Sequence, residues 1–153
     1  MSMQKIKTSL LLLILTCSGA ASSLPPRSVT NFQVEISAAE IVASTLILEA
    51  GGEGRVGMEA VREVIANRAK NKPEIAVCLA PKQFSCWNGI PISRGIEIAK
   101  KHPNWTAALA IAKGKPTNHT RGATHYHTTK ILPYWAKKLQ IHETKLTQMV
   151  HVL

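Results

Sequence analysis

Aspartate is absent from this 153-residue chain; all nine of its acidic side chains are glutamates. Carboxylate chemistry therefore falls to a small set of Glu residues. Aromatic residues make up only 5% of the sequence, the basic residues are scattered rather than gathered into a tract, and no recognisable nucleic-acid motif is present. A nucleic-acid partner is accordingly not expected. The helical His-Glu-x-x-His zinc signature is missing. The unbroken apolar run from Leu10 to Leu15 is too short to serve as a permanent membrane-spanning helix. Cysteine is scarce as well, with three residues in all.

What is there begins with an N-terminal order of parts. Lys5 and Lys7 precede that apolar run, and the small residues Ser18-Gly19-Ala20-Ala21-Ser22-Ser23 follow it, the pattern of a secretory signal peptide over residues 1–23. An uncleaved anchor is one alternative. A lipid anchor at Cys17 is another, since Ile14-Leu15-Thr16-Cys17 loosely resembles a bacterial lipoprotein signal, although Thr16 is a poor residue before a lipidated cysteine. Residues 24–36, opening with Leu24-Pro25-Pro26-Arg27-Ser28, read as an extended linker, and residues 37–153 as one folded domain.

The net charge is +10, and +8 once Lys5 and Lys7 leave with the signal. A basic exported protein favours anionic partners such as cell-wall polymers or membrane surfaces. With Cys17 in the signal, Cys78 and Cys86 remain, and an oxidising compartment would join such a pair. Two reduced buried thiols are the alternative.

Ser37-Ala38-Ala39-Glu40 matches a capping box, so a first helix is expected from about Ala38 to Glu49 or Ala50. Its stripe Ala38, Ile41, Val42, Thr45 and Leu46 reads as the buried side of an amphipathic helix and carries Glu49 at its end. Removal from water there favours the protonated form of a carboxyl group. Gly51 and Gly52 then end the helix and leave bare backbone beside it. A second helix is signalled over Val56 to Lys70, with Met58, Val61, Ile65 and Ala69 on one face and Pro73 beyond it. Ile75 to Leu79 reads as a short helix or a strand, and two further helices follow at Ser93–Lys101 and Trp105–Lys113. Ala123 to His127 alternates as a strand does, and Thr147–Leu153 is β-prone and suited to pair with it. The fold class is α+β: mostly helical, with a small antiparallel sheet.

Three constellations could carry chemistry. Glu49 and Glu53 could act as a hydrolytic pair, one protonating a leaving oxygen and the other activating water or stabilising a cation. The run Gln83-Phe84-Ser85-Cys86-Trp87-Asn88 offers amide, hydroxyl and indole groups suited to sugars, with Phe84 read as a core residue and Trp87 as either core or ligand-stacking. His125 and His127 alternate along a strand and could face one side to hold zinc, although no third ligand is evident. Asn104-Trp105-Thr106 and Asn118-His119-Thr120 are glycosylation-type sequons and mark surface positions.

Taken in order, these segments resemble the SleB/CwlJ-type bacterial cell-wall hydrolases, whose spore-cortex-lytic members give the family its name. Leu48-Glu49-Ala50-Gly51-Gly52-Glu53-Gly54 is similar to that family's Gly-Glu-Ala-Arg-Gly-Glu start. Ile65-Ala66-Asn67-Arg68 resembles the end of its second helix, and Gln83-Phe84-Ser85-Cys86-Trp87 its Gln-Phe-Ser-Cys-Trp signature. Gly122-Ala123-Thr124-His125-Tyr126 and Pro133-Tyr134-Trp135-Ala136 resemble two further segments. The likeness runs from about Ile41 to the C-terminus. It implies a lysozyme-like, lytic-transglycosylase-like domain acting on peptidoglycan glycan strands, with Glu49 as catalytic acid, and Glu53, Gln83, Ser85, Trp87, Thr124 and Tyr126 as residues lining the glycan groove. It implies no cofactor, and a monomer secreted to the periplasm or cell wall. The chain departs from the family at Gly51, where the pattern has Arg, and at His127-Thr128, where members often have Tyr-Asn. A non-catalytic wall-binding protein and a zinc amidase built on His125 and His127 are the competing readings.

Overall fold

The computed structural model describes residues 35–138, 144–146 and 149–152. The expected signal peptide and most of the linker lie outside the described residues. Five α-helices occupy Ala38–Ala50 (α1), Gly54–Ala69 (α2), Glu74–Cys78 (α3), Ile92–Lys100 (α4) and Trp105–Lys113 (α5). Strands follow at His125–Thr128 (β1), Thr144–Leu146 (β2) and Met149–Val152 (β3), and 3-10 turns at Gly51–Glu53, Ser85–Trp87 and Tyr134–Lys138. The described domain is thus mostly helical. β3 lies between β1 and β2 and runs antiparallel to both, with His125 opposite Val152 and Leu146 opposite Met149.

The capping box starts α1 where the sequence places it. The Ser37 N–H donates to Glu40 Oε2 at 2.9 Å, and Ser37 Oγ accepts the Glu40 N–H at 3.2 Å. Lys100 on α4 reaches Glu40 at 2.6 Å; this contact, then the Ser37 N–H, holds the Glu40 carboxyl down at about 2. Beyond its first turn, α1 departs from the amphipathic expectation. Every residue from Ile41 to Ile47 is buried, Ser44 and Thr45 included, while Ala38 is exposed. A helix buried on all sides is a core helix; α2, α3, α4 and α5 all pack on α1. Periodicity along one helix cannot register four neighbours arriving on all its faces.

α1 ends at Ala50 and Gly52 is exposed with open space beside it, as expected, but Gly51 departs from expectation. Gly51 keeps right-handed helical angles (φ −58°, ψ −35°), and the chain passes through one 3-10 turn directly into α2. Gly51 is buried rather than bare. A Cβ placed there would sit 3.1 Å from Nε2 of His102, and the Gly51 carbonyl accepts Asn104 Nδ2 at 3.1 Å. Asn104 is therefore half-buried and engaged, so the first sequon is not the plain surface position expected of it; in the second, Asn118 and His119 are exposed as expected, while Thr120 is 1% exposed.

On α2, Met58, Val61, Ile65 and Ala69 are all buried, as their spacing predicts. Residues 75–78 resolve as helix α3, with Leu79 as its C-cap. Phe84 is 2% exposed and belongs to the core, as expected.

Candidate active site

Glu49 stands in the last turn of α1 and is half-buried. Two segments remote in sequence bring donors to its carboxylate. From the 3-10 turn Ser85–Trp87, the Cys86 N–H donates to Oε1 at 2.9 Å and Ser85 Oγ at 3.4 Å. From β1, the Tyr126 hydroxyl donates to Oε2 at 2.7 Å. Burial, then the nearby Glu49 charge, push the Tyr126 phenol well above its ordinary range, so the group stays a proton donor.

Arg68, at the C-terminal end of α2, holds those two segments together. Its Nε donates to the Thr124 carbonyl at 2.6 Å, and its Nη1 to the Gln83 carbonyl at 3.1 Å. The guanidinium lies 5.1 Å from the centre of the Phe84 ring, a cation–π distance. Its neighbour Asn67 donates from Nδ2 to the Ala123 carbonyl at 2.9 Å. The Asn-Arg pair at the end of α2 therefore pins the approach to β1, and Arg68 alone also pins Gln83, two residues ahead of Ser85. Burial lowers the Arg68 pKa, while the nearby Tyr126 and Glu49 oppose that shift.

The donors open onto a cleft of about 300 Å³ in which Glu49 is, among the described residues, the one acidic lining residue. Arg68, Lys82, Gln83, His125 and Trp135 line it as well. Lys82 holds a left-handed backbone (φ 63°), uncommon for a residue with a side chain and frequent at binding sites. His125 and His127 lie against the Trp135 ring at 5.3 and 5.9 Å between centroids. They do share one neighbourhood, but among the described residues no group of three His, Cys or Glu side chains converges as a metal site. Burial, then Arg68, lower the pKa of His125, which favours a neutral ring beside the cleft.

Of the groove residues expected from sequence, Gln83, Ser85 and Tyr126 do line the cleft with Glu49. Trp87 and Thr124 are placed differently. Trp87 donates its indole N–H to Thr45 Oγ1 in the core at 3.1 Å, and its ring packs on Gly95, where a Cβ would come within 2.5 Å. It is a packing residue with its polar edge spent. Thr124 contributes its carbonyl to Arg68, and its hydroxyl pairs with His125 Nδ1 at 2.9 Å. Glu53 faces a separate cavity bordered by Thr128, Thr129 and Lys130 and is not among the residues lining the cleft with Glu49.

The expected Cys78–Cys86 bridge is not formed; both residues are free thiols. Cys78 is sealed in the core, where burial raises its pKa to about 11. The Cys86 thiol lies against the Glu49 carboxylate; burial, then that charge, raise its pKa still further. Each sulfur is committed to its own surroundings, which nearness in sequence does not disclose.

Sequence reasoning missed Arg68, Lys82, His125 and Trp135 as cleft residues. For Arg68 and Trp135 a signal existed, since both fall in segments that carry the family likeness. The Arg68 contacts themselves are to backbone carbonyls, which leave no trace in side-chain identity.

The chain matches the model of a family described as Cell Wall Hydrolase over residues 52–151. That match begins just past Glu49 and includes Arg68, Ser85, Cys86, Tyr126 and Trp135. Comparison with curated proteins and with solved structures returns no match. The chain therefore belongs to the SleB/CwlJ-type cell-wall hydrolases, a family whose substrate is peptidoglycan.

Proposed function

We propose that the protein is a peptidoglycan-cleaving glycosidase of lytic-transglycosylase or muramidase type, with Glu49 as general acid and then base. The observation that carries this reading is the convergence of Tyr126 Oη, Cys86 N and Ser85 Oγ on the one carboxyl group that, among the described residues, lines the cleft. Held by donors from two segments, that carboxyl is fixed for proton transfer.

In the reaction, protonated Glu49 gives its proton to the glycosidic oxygen beside an N-acetylmuramic acid unit. The bond from that oxygen to the anomeric carbon breaks, and positive charge develops on the sugar. The Glu49 carboxylate then accepts the proton of the incoming hydroxyl. If that hydroxyl is the sugar's own 6-hydroxyl the product is a 1,6-anhydro sugar; if it is water, the product is a reducing end. A route without a second carboxylate suits a cleft in which Glu53 stands elsewhere. Gln83 and Ser85 offer hydrogen bonds to the glycan, and Trp135 an aromatic face. The reading places the enzyme outside the cell as a monomer, delivered by residues 1–23, with its net positive charge drawing it to an anionic wall.

The test is lysis of purified peptidoglycan. Wild-type protein clears it, and Glu49→Gln lowers the rate by roughly 10²–10⁴-fold, the usual range for a positioned acid–base group. Mass spectrometry of the products reads the anhydro or the reducing end. Clearing that persists in Glu49→Gln, or that disappears with EDTA, would overturn the assignment.

A further inference from the structure

A second cavity adjoins the cleft, and the same two residues, Arg68 and Gln83, line both. It measures about 250 Å³ and is bounded further by Lys72, Ala76, Val77 and Ala80. Two kinds of surface meet there. Ala76, Val77 and Ala80 give a shallow apolar face of small side chains. Arg68 and Lys72 give two positive charges, and among the described residues no acidic side chain lines this cavity, Glu49 acting on Arg68 from the cleft side. Lys82, on the neighbouring cleft wall, adds a third cation nearby. Arg68 cannot swing away to solvent without abandoning the Thr124 and Gln83 carbonyls, so its charge is fixed at the shared wall.

We infer that this cavity is a subsite for the carboxylate-bearing peptide stem of the glycan strand, and that the enzyme prefers strands that carry the stem. The inference rests on the glycosidase reading above. Small apolar side chains separated by free carboxylates are what a face of Ala, Val and Ala flanked by Arg and Lys can hold. Adjacency fits as well: the stem hangs from the sugar whose bond lies at Glu49, and the second cavity begins where the cleft wall of Arg68 and Gln83 ends. Glu49 already lies near Arg68, so a bare glycan would leave chiefly the Lys72 charge unmatched.

Binding separates this inference from the reaction. The full-length protein is titrated by calorimetry with a disaccharide-peptide carrying free stem carboxylates, with the same compound after amidation of those carboxylates, and with the peptide-free disaccharide. Wild type is expected to bind the first most tightly. Lys72→Glu, at an exposed position, is expected to weaken that compound by roughly three- to tenfold while scarcely moving the other two, and Lys72→Arg to restore it. The difference should shrink as salt is raised. Equal wild-type affinity for the three compounds, or a Lys72→Glu loss shared by all of them, overturns the inference, and so does absence of binding by any. None of these results bears on the lysis test with Glu49→Gln, so the subsite and the glycosidase reading fail separately.

Discussion

Two glutamates on neighbouring helices, Glu49 on α1 and Glu63 on α2, each draw several hydrogen-bond donors, yet they do opposite things. Glu63 is 2% exposed. It accepts the N–H of His119 at 2.7 Å, the N–H of Thr120 at 2.8 Å, and the hydroxyls of Thr120 and Thr117. All these donors come from the one loop between α5 and β1, and they leave the carboxylate sealed. Burial alone would raise its pKa; the hydroxyls of Thr117 and Thr120, then the two N–H groups, outweigh that and lower it. Glu49 takes its donors from two separate segments and still opens on a cleft. A carboxylate satisfied from one loop is a fastener. One held from both sides with a face left open can act on something else.

The sharpest way to break this contrast is to exchange the readouts. Glu49→Gln should cost two or more orders of magnitude in lysis and little stability, because the amide carbonyl still accepts the Cys86 N–H while its N–H group can donate to the Tyr126 hydroxyl oxygen. Glu63→Ala should do the reverse, costing about 3 kcal/mol or more by stranding several buried donors, with lysis per folded molecule largely kept. Urea unfolding alongside lysis assays checks both. A Glu63 variant that stays stable but loses activity would collapse the distinction.

A smaller effect is expected at the clamp. Arg68→Ala should slow lysis by roughly tenfold or more, since both segments that meet Glu49 lose a shared anchor and a small displacement is costly in catalysis. Tyr126→Phe removes one donor and leaves the clamp intact; its loss should be about tenfold, mostly in kcat, with little change in melting temperature. Equal losses in stability and in activity for Tyr126→Phe would make the residue structural.

The smallest effect lies in acid. With the Glu63 pKa lowered on folding, the unfolded chain takes up the proton first as pH falls below its ordinary 4.5. The Glu63 contribution is therefore complete above that pH and is lost as pH drops through the depressed folded value. Glu40, lowered to about 2, follows the same sign over a window from 4.5 down to about 2, though its exposure keeps the contribution slight. Stability measured from pH 6 to pH 3 should fall less steeply in Glu63→Gln than in wild type.

Much of this was legible beforehand, and the reasons are physical. Ser37 and Glu40 declare the start of α1 because capping is local. Gly114 and Pro116 mark the end of α5, which runs Trp105–Lys113 as expected, and Glu49, Gln83, Ser85 and Tyr126 were already candidates for one site. Tertiary partners account for what was hidden. Trp87 turned inward because Thr45 accepts its N–H and Gly95 makes room for its ring. Gly51 looked like a loss of the family arginine, yet His102 occupies the space beside it, so the missing side chain leaves no hole. The role of Glu63 was invisible: its partners lie 54 to 57 residues further along the chain, and half of the bonds come from backbone.

The Arg68 guanidinium also has a kinetic consequence. It reaches 15 residues along the chain to Gln83 and 56 to Thr124, so two loops of very different closure entropy end on one group. The short loop can close early against α2, whereas the long one must wait for β1 to arrive. Until then Glu49 has two of its three donors and lacks Tyr126. Competence to bind glycan should therefore appear in refolding as a single late event, after the helical core has formed.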